Sequence, residues 1–271
     1  MTPKVTILMS VYNDKKHLVE CIESVLNQSY SDFLFLIYDD ASTDGSKEIL
    51  QYYATKDKRI ELVLNIENKG LSYNLAEGVL KTESKWIARM DADDIAFKDR
   101  LKEQLNYIEL NPHIDIVGSY VIDIDNNGEE IELRKVPSTH EKISKLIWTC
   151  PFIHPSVLFK VEAIKRAGSY DANLRRRQDY DLWFRCLKTN LRFANIEKPL
   201  VYYRMTDEYY KKNNTRVQID QAKMGYKGSF KVNASPLAYV GVTIAFIKGV
   251  LPYKLRKPLS EALKKFDPRR V

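Results

Sequence analysis

The sequence predicts an α/β fold, a mostly parallel sheet flanked by helices. Two observations carry that reading. Short apolar, β-rich runs alternate with segments of helical periodicity, and several runs end abruptly in polar or acidic clusters. The composition agrees: 44% of the 271 residues are hydrophobic and 29% charged, with only 10 Gly and 10 Pro, which suits a chain that buries a core and excludes collagen-like and disordered classes.

The elements follow in order. Val5-Thr6-Ile7-Leu8-Met9 reads as a strand, and Leu18, Cys21, Ile22, Val25 and Leu26 then recur at the i, i+3, i+4, i+7, i+8 spacing of one helix face. Phe33–Tyr38 is continuously apolar, as for a strand covered on both faces. It runs into Asp39-Asp40-Ala41-Ser42-Thr43-Asp44-Gly45, a turn in which Ser42 or Asp44 would cap a helix from Ser46 to about Thr55. Ile60–Leu64, Trp86–Met90 and Ile114–Val117 read as further strands, with helical patterns at Leu71–Leu80 and Arg100–Leu110.

In such a sheet ligands bind beyond the carboxyl ends of the strands. Here those ends are Ser10-Val11-Tyr12-Asn13, Asp39-Asp40 and Asp91-Ala92-Asp93-Asp94. No Gly-x-Gly-x-x-Gly follows the first strand and no Gly-Lys-Ser/Thr loop is present, so neither glycine-rich phosphate cradle supports the reading. Clustered carboxylates repel unless a cation or hydrogen bonds compensate, and hard oxygen ligands suit Mn²⁺ or Mg²⁺. The plainer alternative makes Asp94 and Asp99 caps of a helix beginning near Lys98. A carboxylate at Asp40 suits the imide N–H of a uracil ring, and Tyr12 either stacks on that base or is an ordinary strand-end aromatic.

Arg175-Arg176-Arg177-Gln178-Asp179-Tyr180-Asp181-Leu182-Trp183 sets a basic run before two acids, one of which opens a helix. A carboxylate at a helix N-terminus is held ionised by the dipole and is available as a base; the alternative is a simple cap beside solvated arginines. His154, in the apolar loop Phe152-Ile153-His154-Pro155-Ser156, is expected only at the wall of a site.

The net charge is +7, yet residues 248–271 hold eight cations against Glu261 and Asp267, so the body is nearly neutral. A nucleic-acid partner is therefore not expected. Cys21, Cys150 and Cys186 are odd in number and far apart, and no apolar leader precedes the first strand, which implies a reducing, cytoplasmic setting. Leu237–Ile247 is apolar but shorter than the ~20 residues that span a bilayer. With the basic stretch behind it, it is expected to lie on an anionic membrane surface, peripheral at the inner face of the cell membrane; the alternative is a helix packed on the preceding domain.

Together these motifs resemble the inverting family-2 glycosyltransferases of the GT-A, Rossmann-like fold, especially bacterial enzymes of capsule, lipopolysaccharide or exopolysaccharide biosynthesis. The resemblance runs from Val5 to about Arg204 and includes Asn68-Lys69-Gly70 with Asn74. It implies a glycosyltransferase domain over 1–205, which leaves 206–271 as the helical, membrane-associating extension that the tail's apolar and basic pattern suggests. It implies that Ser10, Tyr12, Asp40, Lys69 and Asp91 bind nucleotide, that Asp93 with Asp91 holds Mn²⁺ or Mg²⁺, and that Asp179 is the catalytic base. His154, Gln178 and Trp183 would line the acceptor side. The implied reaction passes sugar from a UDP-sugar donor to a hydroxyl of a saccharide acceptor, polyprenyl-linked, with inversion. The sequence departs from the family at Gln178, where Glu is frequent, and at Tyr73, where Arg is frequent, and it lacks a processive Gln-x-x-Arg-Trp signature. A sugar nucleotidyltransferase and a non-catalytic sugar- or membrane-binding module stand as alternatives from other classes.

Overall fold

A computed structural model describes residues 3–205, 215–251 and 267–269. Lys254, Arg256, Lys257, Lys264, Lys265 and Arg270 of the basic tail lie outside the described residues, as do Thr206 and Asp207, where the proposed second domain begins.

The amino-terminal half alternates as expected: β1 (Val5–Val11), α1 (Lys15–Leu26), β2 (Phe33–Asp39), α2 (Ser46–Lys56), β3 (Ile60–Leu64), α3 (Leu71–Lys81), β4 (Trp86–Met90). A two-residue β5 (Ile95–Ala96), α4 (Arg100–Leu110), β6 (Ile116–Ile124), β7 (Glu130–Arg134), α5 (His140–Lys145), β8 (Leu158–Lys160) and α6 (Val161–Arg166) follow. Then come α7 (Gln178–Lys188), β9 (Phe193–Arg204), α8 (Thr215–Lys231) and α9 (Pro236–Val250). The sheet order is β3-β2-β1-β4-β8-β6-β9-β5, with β7 on β6. β3, β2, β1 and β4 are parallel, β8 runs against both its neighbours, and β6 and β9 are parallel to each other.

β1 shows why its residues form a buried strand. Val5, Ile7, Met9 and Val11 enter one apolar core, with Leu18, Cys21, Ile22 and Val25 of α1, while Leu8 enters the core on the other face. Full burial of each such side chain contributes about 1.5–3 kcal/mol relative to exposure. Gly45 at φ 99° opens α2, and the Asp44 carboxylate accepts from the Ser46 amide (3.0 Å) and from Lys15 N (2.9 Å). One aspartate thus satisfies amides at the starts of α1 and α2.

The expected strand Ile114–Val117 begins two residues later and runs to Ile124. Gly118, Ser119 and Asp123 interrupt its apolar pattern, and the strand persists because β9 and β7 pair with its far half. The helix near Lys98 begins at Arg100 after Asp99, yet neither Asp94 nor Asp99 caps it. The Gln28 side chain does so from α1's end, its Oε1 accepting from Leu101 N at 3.0 Å.

Candidate active site

The parallel order β2-β1-β4 brings the three polar strand ends to one crevice, because neighbouring parallel strands finish on the same side. Ser10 and Asp40 sit there on a hydrogen-bond ladder. Asn74 donates from Nδ2 to Ser10 Oγ (2.9 Å), and Asn65 donates to Asn74 Oδ1 and to Asp40 Oδ1, both at 2.8 Å. Asp40 is almost wholly buried and also accepts from the amides of Lys69 (2.9 Å) and Gly70 (2.8 Å). Of the roughly four lone-pair positions on a carboxylate, one on Oδ2 is left. Asp39 turns inward, accepting from the Ser42 amide at 3.3 Å. Tyr12 stands 54% exposed at the rim, its ring free to stack. The Lys69 ammonium lies over the Tyr73 ring, 4.8 Å from its centroid.

The acidic loop after β4 is built on buried cations. Asp91, Asp93 and Asp94 each present a carboxylate oxygen, all within 4.8 Å of one another. Arg89, fully buried in β4, ion-pairs through Nη2 with Asp91 Oδ1. Arg100, buried on α4, donates from Nη2 to the Arg89 carbonyl at 2.7 Å. Arg204 closes the far side: its amide donates to Asp94 Oδ1 (2.8 Å), its Nε to the Asp93 carbonyl (2.8 Å), its Nη1 to the Asp125 carbonyl (2.9 Å) and its Nη2 to Glu20 Oε2 (2.8 Å). Burial first, then the charges of Asp91 and Asp14, pushes Asp93 up to about 7. Burial first, then the charges of Asp93 and Asp91, raises Asp94 as well. A cluster of hard carboxylate oxygens, two of whose acids, Asp93 and Asp94, are raised in the absence of a cation, fits Mn²⁺ or Mg²⁺. Asp94 is thus neither cap nor spare: with one carboxylate oxygen on the Arg204 amide, it anchors the loop.

Asp179 is the second residue of α7. The Cys150 thiol donates to its Oδ2 at 3.5 Å. The loop before α7 meets the Asp40 ladder, since Arg175 Nη1 donates to Asn68 Oδ1 (3.2 Å) and Ser72 Oγ donates to the Leu174 carbonyl.

Three expected wall residues are not at the wall. Trp183 is fully buried, packed on Phe152 and His154, because α7 turns that face into the core. His154 is buried with its Nε2 2.8 Å from Tyr170 Oη, and Gln178, first residue of α7, is buried too. Residues that sequence reasoning missed are Arg89, Arg100, Arg204, Glu20 and Cys150. For Arg89 a signal existed, since an arginine inside the apolar run Trp86–Met90 needs a buried counter-charge. A cavity of about 510 Å³ beside the amino-terminal ends of β6 and β9, lined by Tyr107, His113, His140 and Arg192 among others, shares no residue with the crevice.

Residues 6–168 match the family described as Glycosyl transferase family 2. The chain belongs to that family. The match includes the Asp40 ladder and the acidic loop but stops before Asp179. A glycosyltransferase of Methanocaldococcus jannaschii, itself uncharacterized, is 38% identical over 207 residues, 75% of this chain and 71% of its own. The O-antigen biosynthesis glycosyltransferase WbnJ of Escherichia coli is 33% identical over 213 residues, 77% of this chain and 82% of its own. Among solved structures, Staphylococcus aureus TarS residues 1–349 in complex with UDP-GlcNAc superimposes with a TM-score of 0.64 at 16% identity, covering 92% of this chain and 82% of that one. The fold is GT-A, and this family-2 glycosyltransferase has relatives in polysaccharide biosynthesis.

Proposed function

We propose that this glycosyltransferase moves a sugar from a UDP-sugar to a hydroxyl of a lipid-linked saccharide, with inversion, in the building of capsule, lipopolysaccharide or exopolysaccharide at the inner face of the cell membrane. The observation that carries the proposal is the pairing of two acidic strand ends, Asp40 and Asp91–Asp94, on the strands flanking β1, together with a carboxylate, Asp179, at the start of α7, whose preceding loop meets the Asp40 ladder through Arg175 and Leu174. TarS, with the same fold, was solved with UDP-GlcNAc, which supports a UDP-sugar donor.

In this reading the free lone pair of Asp40 accepts the uracil imide N–H and Tyr12 stacks on the ring. Ser10 keeps its O–H to donate, because its oxygen already accepts from Asn74. Asp93, with Asp91, would hold Mn²⁺ or Mg²⁺, whose charge would offset that building up on the departing diphosphate. Asp91 stays oriented by Arg89, and the Arg204 bonds keep the loop from moving as charge develops. Asp179 takes the proton of the acceptor hydroxyl as that oxygen attacks the anomeric carbon and UDP leaves. One displacement inverts the centre.

The test uses a panel of UDP-sugars with a saccharide acceptor and reads the anomeric configuration of the product by NMR. A β-linked product from an α-linked donor is expected, with kcat down roughly 10²–10⁴-fold in Asp179→Asn and donor KM little changed. A retained α-configuration, or full activity in Asp179→Asn, overturns it.

A further inference from the structure

The two carboxyl-terminal helices distribute their apolar side chains in reverse. A helix on a soluble protein ordinarily turns its large apolar residues inward. On α9 the inward positions are small: Ala238 and Gly249 are buried with Val242, and Gly241 lies so close to the Trp148 ring that a Cβ would collide. On α8 the buried residues are Ala222, Gly225, Gly228 and Ser229, with Gly228 pressed on the Phe184 ring of α7. Apart from Phe246, which is partly buried beside Trp148, Tyr180 and Gln218, four large residues face out: Leu237, Val240, Ile244 and Ile247, spaced 3, 4 and 3 apart along one stripe of α9, are 67%, 53%, 54% and 54% exposed. Phe230, near the turn between the helices, is 77% exposed.

Charge identifies the occupant. The described part of this hairpin carries Arg216, Lys223, Lys227, Lys231 and Lys248 against one acid, Asp220. The sequence beyond it adds Lys254, Arg256, Lys257, Lys264, Lys265, Arg269 and Arg270 against Glu261 and Asp267. A second copy docked on the same stripe by two-fold symmetry would bring like charges together. An anionic bilayer accepts both features, apolar side chains at the acyl boundary and lysines among the headgroups.

We infer that the α8–α9 hairpin is the surface by which this protein lies on an anionic membrane, with Phe230, Leu237, Val240, Ile244 and Ile247 as the inserted residues. The inference rests on the lipid-linked acceptor proposed above and deepens it. α8 packs on α7, the helix that carries Asp179, and Tyr180 of α7 donates from its hydroxyl to the Trp148 carbonyl at 2.7 Å. The hairpin therefore fixes the height of the base above the lipid surface, where a membrane-borne acceptor hydroxyl arrives.

The test is flotation of the full chain with phosphatidylglycerol-containing vesicles and with phosphatidylcholine vesicles, beside the Leu237→Glu/Ile244→Glu variant. Both substituted side chains are exposed, so the variant keeps its fold and its donor hydrolysis without vesicles. The wild type is expected to float with anionic vesicles only, to lose binding as salt rises, and to bind at least tenfold more strongly than the variant. Equal flotation of the variant overturns the assignment of the surface. So does a wild-type dimer in light scattering that the variant breaks, with no vesicle binding, which makes the stripe a contact between copies. Vesicle binding with no turnover of any UDP-sugar leaves the docking surface standing and rejects the donor reading.

Discussion

Arg89 is the residue on which the acidic loop depends. Its guanidinium is buried and its partner Asp91 is about two-thirds buried, so removing either leaves a charge in a poorly solvated place. Arg89→Met is expected to cost about 3 kcal/mol, the low end for a buried pair because Asp91 still meets solvent, and Arg89→Met/Asp91→Asn is expected to regain part of it in denaturant melts. An additive double variant would mean that the pair is not coupled. His154 gives a pH signature. Burial first, and then the Arg89 charge, holds its imidazole well below 6.5, and the group facing it, Tyr170 Oη, stays un-ionised because burial raises its pKa. The unfolded chain takes up a proton near pH 6.5 that the fold refuses, so stability falls as pH drops below 6.5, by up to roughly 1.4 kcal/mol per pH unit from this group. His154→Gln should flatten that slope between pH 6.5 and 5. His17, lowered to about 4 by burial and then by Arg204 and Lys16, retains its own share in the variant. An unchanged slope in His154→Gln would show that His154 is protonated in the fold.

At the scale of elements, β9 ends as a clamp. Arg204 at its last position holds the acidic loop by its amide and its Nε, while its bond to Glu20 lies at a half-exposed carboxylate. Arg204→Gln is expected to weaken the apparent Mn²⁺ affinity roughly 10–100-fold in donor-turnover titrations, whereas Glu20→Gln moves it little, because exposed pairs contribute ~0–1 kcal/mol. Equal effects from the two would place the clamp in the ion pair rather than in the loop bonds. The same elements mark what a sequence can tell. β1, β2 and β4 were legible because each is short, apolar and followed by acids, and α1 because its apolar spacing is regular. β6 was half legible, and β7, β8 and β9 were not. β8 has three residues, and β9 carries Glu197, Lys198 and Pro199 at the register shift where it meets Ser119 and Tyr120, so pairing rather than pattern makes them strands.

For the molecule as a whole, the acids of the site were readable because acidic strand ends have no structural necessity. Their support was not, because Arg100, Arg204 and Gln28 reach it from α4, β9 and α1, at distances along the chain that no local pattern records. Trp183 was misjudged for the same reason: proximity to Asp179 in sequence does not reveal which face of α7 the core takes. The carboxyl-terminal helix packs Ala238, Val242 and Gly249 on the body and leaves an apolar stripe outward, the stripe proposed above as a docking surface. The central claim is that the crevice takes a UDP-sugar and a divalent cation at Asp93. Its most direct measurement is UDP release from a panel of UDP-sugars with Mn²⁺, with and without EDTA, for wild type and Asp93→Ala. Release from one donor, abolished by EDTA and lowered by roughly two orders of magnitude in Asp93→Ala, is the expected result; release that ignores both the chelator and the substitution would contradict the assignment of the acidic loop.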